Sequence, residues 1–243
     1  MAGQTAPFLG DIMPSSSGTS ARRGSGARMG LAQAAALVDS SYLKSSAHAG
    51  LQSQVEKPLN KDDVQAFMLK DRTLLIPGSD SAADYLKFNL RLLNIGGKRY
   101  KVKSSATGNE LGRVWHQGFL AHAMYVKTHF DAAPPKLIIG HSLGAASAQI
   151  LSLVWGVPAI CFAAPRVYAG GQAVQNEKNC LCIHLADDPV GSLPSDRFRH
   201  AGKSLRLGRR TYVRFTHKMT HYKALLANPN YKASLPTNWP VTG

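Results

Sequence analysis

One serine in this chain is flanked so that it could act as a nucleophile. Gly140-His141-Ser142-Leu143-Gly144 follows the apolar run Lys136-Leu137-Ile138-Ile139 and precedes the small residues Ala145-Ala146-Ser147-Ala148, then Ile150 and Leu151. Read along the chain, this is a short strand, a tight turn and a helix, the layout of a nucleophile elbow. A turn that sharp holds the Ser142 hydroxyl clear of the backbone, and the helix behind it aims free N–H groups at the same point. Gly140 and Gly144 fit because any larger side chain there would collide with the turn's own backbone.

A serine hydroxyl is a weak nucleophile until an imidazole takes its proton, and that imidazole needs a carboxylate to fix its tautomer and balance its charge. In open sheets carrying such an elbow, the acid and the base follow the serine in that order, on loops after later strands. Ile183-His184-Leu185-Ala186-Asp187-Asp188-Pro189-Val190 supplies a strand followed at once by two carboxylates. Phe215-Thr216-His217 closes the next strand-like run, and His221 lies one helical turn further on. The spacing alone leaves Asp187 and Asp188 open as the acid, and His217 and His221 as the base.

With 243 residues, 44% of them hydrophobic, the chain has the length of one sizeable domain. A domain of that size buries roughly 70% of its unfolded surface. Residues 1–27, rich in Ser, Gly and Arg, read as a flexible tail; residues 28–228 read as the folded domain, and 229–243 as a loose C-terminal tail. A net charge of +15, from 29 Lys and Arg against 14 Asp and Glu, points to attraction toward anionic surfaces such as phospholipid or nucleic acid. The densest basic run, Lys203 to Lys218, holds only Tyr212 and Phe215 as aromatics, too few for a base-stacking platform. No specific nucleic acid is therefore expected as a partner.

The three cysteines, Cys161, Cys180 and Cys182, make no even framework and are expected as buried free thiols. No Cys-x-x-Cys or His-Glu-x-x-His spacing is present, so neither metal nor other cofactor is expected. No apolar run reaches the length of a membrane span, and the N-terminus lacks the apolar core of a signal peptide. The expectation is a soluble protein, cytoplasmic first, with export by an unconventional route left open.

The elements that must position the serine follow from periodicity. Leu31, Ala34, Ala35, Leu37, Val38 and Tyr42 form a helical stripe. Val64 to Leu69 and Thr73 to Ile76 read as strands, the second ended by Pro77-Gly78. Asp84 to Leu93 and Val114 to Phe130 read as helices, with Lys98 to Val102 a strand between them. Beyond the elbow come strands at Val157 to Ala163 and Cys180 to Leu185, a hairpin from Ser204 to Phe215 around Gly208, and a helix from Met219 to Leu226. Strands alternating with helices give an α/β protein with a mostly parallel sheet.

Six segments in order resemble the class 3 lipase family, the α/β-hydrolases that include fungal triacylglycerol lipases and plant acyl hydrolases. Beside the serine turn these are Ile76-Pro77-Gly78-Ser79-Asp80, His116-Gln117-Gly118-Phe119-Leu120, Ala164-Pro165-Arg166-Val167, Asp188-Pro189-Val190 with Leu193-Pro194, and His217-Lys218-Met219-Thr220-His221-Tyr222. The chain departs from the family in carrying Ile76-Pro77 where Phe-Arg is usual and Ala145 where Gly is usual.

The resemblance implies an α/β-hydrolase fold, with Ser142 as nucleophile, Asp188 as orienting acid and His217 as base. It gives the oxyanion hole to the backbone N–H groups of Leu143 and Ser79, and a structural role to His116. His184 and His200 are expected to be ordinary strand or surface residues. Asp80 to Phe88 stands where fungal members carry a lid; with only Tyr85, Leu86 and Phe88 as large apolar residues, it fits a modest lid or a simple packed helix. The implied substrate is an acylglycerol or phospholipid ester, with peripheral contact to an anionic membrane surface. Acyl transfer to an alcohol would use the same residues. A catalytically idle hydrolase fold serving as a basic membrane- or nucleic-acid-binding module is the competing reading, and it requires a missing or displaced member of the triad.

Overall fold

The computed structural model describes residues 28–43, 45–78, 115–194, 198–208, 217–232 and 235–240. Met29–Gly30 (β1) leads into Leu31–Ser40 (α1) and the short His48–Gln52 (α2). Val55–Lys61 (β2), Val64–Leu69 (β3) and Thr73–Ile76 (β4) follow. Gln117–Phe130 (α3), Leu137–His141 (β5), Leu143–Trp155 (α4), Ala159–Phe162 (β6) and Cys180–Leu185 (β7) form the middle of the chain. It closes with Lys203–Leu207 (β8), Met219–Ala227 (α5), Pro229–Lys232 (α6) and Asn238–Trp239 (β9).

Strands β2 to β8 make one sheet in sequence order, antiparallel from β2 to β4 and parallel from β4 to β8. Parallel strands need covered faces, and their residues accordingly read as unbroken apolar runs. All of β4, β5, β6 and β7 is buried. One face carries α3 and α4 over a core that includes Ile76, Phe119, Ile138, Leu151 and Cys161. The other carries α1 and α5 over Leu75, Ile139, Phe162, Ile183 and Tyr222. The sheet is that of an α/β-hydrolase fold, as the sequence implies. Among the described residues no helix is long and apolar enough to cross a membrane.

Helix α4 lies closest to the sheet, and its composition explains how. Every residue from Leu143 to Leu153 is buried, and Gly144 to Ala148 are all Gly, Ala or Ser, so the backbone can sit near the strands. The tightest point is Gly144: a Cβ there would stand 1.9 Å from the Ile76 carbonyl oxygen and 2.6 Å from that of Pro77. Glycine is therefore required at this position to let α4 start directly above the end of β4.

Several expectations land on their elements. Strands β3 and β4 span the ranges read from the sequence, and α1 buries Leu31, Ala34, Ala35 and Val38. Helix α3 starts at Gln117 rather than Val114, because Trp115 instead bridges to Tyr168 and His116 caps the helix. Strand β2 carried too little signal to be read: it is an edge strand, mostly exposed, with Pro58 and three charged residues among seven. It pairs with β3 around Asp62 and Asp63, both at positive φ, the mirror-image turn that suits a hairpin. Strand β8 pairs in parallel with β7. The expected Asp84 to Leu93 helix, Lys98 to Val102 strand, Asp80 to Phe88 lid segment and Thr211 to Phe215 half of the hairpin lie outside the described residues.

The C-terminal stretch differs from the loose end suggested by its composition. Its strand β9 pairs with β1 in antiparallel register, Trp239 opposite Met29. Trp239 is buried, and its Nε1–H donates to the Asn179 carbonyl at 2.8 Å. One large aromatic with one satisfied polar atom anchors the run Pro236-Thr237-Asn238-Trp239-Pro240.

Replacing Gly144 with Ala is expected to lower stability by about 3 kcal/mol, since backbone rather than a side-chain tip must yield. The urea unfolding midpoint measures it; an unchanged midpoint would mean that α4 and β4 do not meet this closely.

Candidate functional site

Ser142 stands between β5 and α4 at φ 57° and ψ −122°, a conformation that a residue with a Cβ rarely adopts. Its N–H donates to the Phe162 carbonyl at 3.0 Å, and its own carbonyl accepts from Ala146 N–H at 3.1 Å as α4 begins. These bonds hold the strained residue in place and project its hydroxyl away from the sheet. Leu143 is the first residue of α4, where an N–H has no acceptor within the helix.

The hydroxyl meets an imidazole. His217 Nε2 lies 2.9 Å from Ser142 Oγ, while His217 Nδ1 lies 3.0 Å and 3.2 Å from the two carboxylate oxygens of Asp188. With Nδ1–H donating to the carboxylate, Nε2 presents a lone pair to the serine hydroxyl. All three residues are buried. His217, rather than His221 in the first turn of α5, meets Ser142, and Asp188, rather than Asp187, faces His217.

Asp188 is held by the turn it starts. Asp-Pro is a good helix opening, and here Asp188 caps the single turn Pro189–Ser192, its Oδ1 accepting from Val190 N–H at 3.0 Å. Tyr222 of α5 donates to Oδ2 at 2.8 Å and accepts from Leu185 N–H at 3.2 Å. Burial pushes the Asp188 carboxyl up, but the hydrogen bonds and charge of His217, with Tyr222 and Val190, together hold it below the ordinary carboxylate value. Burial, then the adjacent carboxylate, push the Tyr222 phenol well above its usual range, so it remains a donor.

A second relay runs behind the first. Gly78 N–H donates to the Tyr42 hydroxyl at 2.9 Å, Tyr42 donates to His141 Nδ1 at 2.5 Å, and His141 Nε2–H donates to the His217 carbonyl at 2.9 Å. Burial, and then the nearby His217, lower the His141 pKa to about 3, so the ring stays neutral and keeps this single proton arrangement at physiological pH. The relay ties the loop after β4 to the loop that carries His217. Gly78 also packs directly on the serine: a Cβ there would stand 2.9 Å from Ser142 Cβ and 2.9 Å from the Tyr42 hydroxyl oxygen. That contact brings the Pro77-Gly78 turn beside the hydroxyl. Ser79, expected to follow as an oxyanion donor, lies outside the described residues.

Sequence reasoning passed over Tyr42, His141 and Tyr222 as functional residues. In the sequence Tyr42 belongs to the helical apolar stripe, and His141 is one residue of the serine turn. Tyr222 stood in the last quoted segment with no role. Each signal was there, an aromatic or histidine next to a chemical residue, but only the fold shows which polar tips converge. Elsewhere, His116 Nδ1 accepts from Phe119 N–H at 3.3 Å and caps the start of α3. His184 is buried at the end of β7 with its ring 4.2 Å from that of His200, whose Nε2 donates to the Ala164 carbonyl at 3.0 Å.

No family model matches the chain, and no curated protein matches it. Among solved structures, the chain is similar to the Lip2 lipase of Yarrowia lipolytica, at 16% identity and a TM-score of 0.44. The match covers 64% of this chain and 65% of that one, so the chain spans about two thirds of the lipase's length.

Removing the Tyr222 hydroxyl in Tyr222→Phe takes one donor from Asp188 and should raise its folded pKa. A depressed carboxylate contributes stability that is present above its unfolded pKa of about 3.9 and lost as pH falls through the folded value. The variant is therefore expected to be less stable by about 1–3 kcal/mol near pH 7. Part of that gap should close as the pH drops below 4, leaving the pH-independent loss at Leu185 N–H. Urea unfolding across pH measures this; a gap that widens on acidification would contradict it.

Proposed function

We propose that the chain is a serine ester hydrolase that cleaves acylglycerol or phospholipid esters through an acyl-enzyme on Ser142. The observation that carries the reading is the buried relay in which His217 Nε2 lies 2.9 Å from Ser142 Oγ while Nδ1 faces Asp188. In this reading His217 takes the hydroxyl proton as Ser142 Oγ attacks the ester carbonyl, and Asp188 stabilises the imidazolium. The tetrahedral oxyanion is received by the backbone N–H groups of Leu143 and Ser79; each such donor is worth about 3–4 kcal/mol of barrier. His217 Nε2 then protonates the departing alcohol, the Ser142–acyl bond remains, and a water activated by the same imidazole releases the acid.

The complete relay speaks against the idle-module reading, which needs a missing or displaced member. The +15 net charge supports anionic lipid aggregates over neutral oil as the form in which substrate is met.

Ser142→Ala should abolish covalent labelling by a fluorophosphonate probe, and Asp188→Asn should cut kcat by about 10⁴-fold through the wrong imidazole tautomer. Labelling that survives the Ser142 change would overturn the assignment. Hydrolysis of anionic vesicles should slow as salt is raised from 0.1 M, where screening acts over about 10 Å, to 1 M, where it acts over about 3 Å. Rates independent of salt would remove the electrostatic preference.

A further inference from the structure

The parallel sheet brings the three cysteines of this chain together. Cys180 and Cys182 sit two residues apart on β7 and so share a face, the face covered by α3 and α4. Register places Cys161 of β6 opposite Cys182, while Ala159, opposite Cys180, carries only a methyl group. The three sulfurs therefore converge within the core. Cys161 Sγ lies 3.6 Å from Cys180 Sγ, Cys180 Sγ lies 3.8 Å from Cys182 Sγ, and all three lie within 4.8 Å of one another. All three are free thiols with no exposed surface.

A metal 2.3 Å from three coplanar sulfurs spaces them about 4.0 Å apart. The cysteine triangle already has close to that size. We propose that Cys161, Cys180 and Cys182 form a three-thiolate site for a single Cu(I) ion.

The donor set decides the metal. Sulfur-only ligation selects soft cations, and zinc asks for a fourth ligand in a tetrahedron. Among the described residues no histidine or carboxylate joins the three sulfurs. The Sγ atoms of Cys161 and Cys182 both lie within hydrogen-bonding reach of that of Cys180. On binding, every sulfur enters as thiolate, the thiol protons leave to solvent, and copper stays Cu(I) with no electron transferred. The sulfurs lie inside the sheet core, whereas Ser142 stands beyond the end of β5, so the site would act on folding rather than on ester cleavage. It stands apart from the proposed hydrolysis and can fail without it. Sequence spacing hid it, because Cys-x-Cys with a third cysteine on the neighbouring strand becomes a cluster only through sheet register.

The test uses the full chain, reduced and anaerobic, loaded with Cu(I) against the competing chelator bicinchoninate and read by native mass spectrometry and X-ray absorption. One Cu(I) per chain with three sulfur neighbours and a raised melting temperature is expected, while Zn(II) offered alone is not retained. Cys161→Ala and Cys182→Ala should each lose the stoichiometric ion while keeping esterase activity. Should either variant fail to fold, the absorption spectrum of the unaltered chain decides alone. Absence of retained copper in the folded chain, copper with nitrogen or oxygen neighbours, or Zn(II) retained in preference to Cu(I) would each overturn the proposal.

Discussion

The constraint on which the site depends is the backbone of Ser142, held at φ 57° between a buried strand and a helix that begins at the next residue. A residue in such a conformation costs on the order of 1–3 kcal/mol, and it persists only where its surroundings leave no alternative. Here they leave none. The parallel pairing of β5 with β4 and β6 fixes the strand end, and α4 cannot retreat without exposing a face that is buried along nearly its whole length. Gly144 over the Ile76 carbonyl is the contact that lets strand and helix meet at so sharp an angle.

Once that hydroxyl is fixed, the other polar groups must be brought to it from distant parts of the chain, and hydrogen bonds bring them. Asp188 is steadied by the turn it caps and by Tyr222; His217 is gripped at Nδ1 by Asp188 and at its carbonyl by His141. Tyr42 extends the second relay to Gly78, so the serine, the imidazole and the turn after β4 share one rigid frame. Asp188 brings a buried carboxylate into the frame, and His217, Tyr222 and the Val190 N–H all face it. A single buried charge with several donors is a stable arrangement, where an unpaired one would be costly.

Much of this was legible in the residues because the chemistry is local. The elbow advertises itself through a run of β-branched and apolar residues, two glycines and a small-residue helix start, and Asp188 through an Asp-Pro turn directly after a buried strand. What stayed hidden depends on register or on a single anchor. Strand β2 shows too few apolar residues to declare itself, and the segment ending in Trp239 is ordered by pairing with β1 at the far end of the chain. The relay through Tyr42 and His141 joins residues 99 positions apart, a distance at which no sequence pattern speaks. The choice between Asp187 and Asp188, or between His217 and His221, turns on which side chain points inward, and only packing decides that.

In the proposed function Ser142, His217 and Asp188 act as one unit to form a covalent intermediate. The most direct measurement is the mass of the chain quenched in acid during turnover of a p-nitrophenyl ester, followed by mapping of the modified peptide. One acyl group per chain is expected, on the peptide containing Ser142, accumulating in the same burst as the released phenol. Ester turnover with no acylated chain, or an acyl group carried on a different residue, would contradict it.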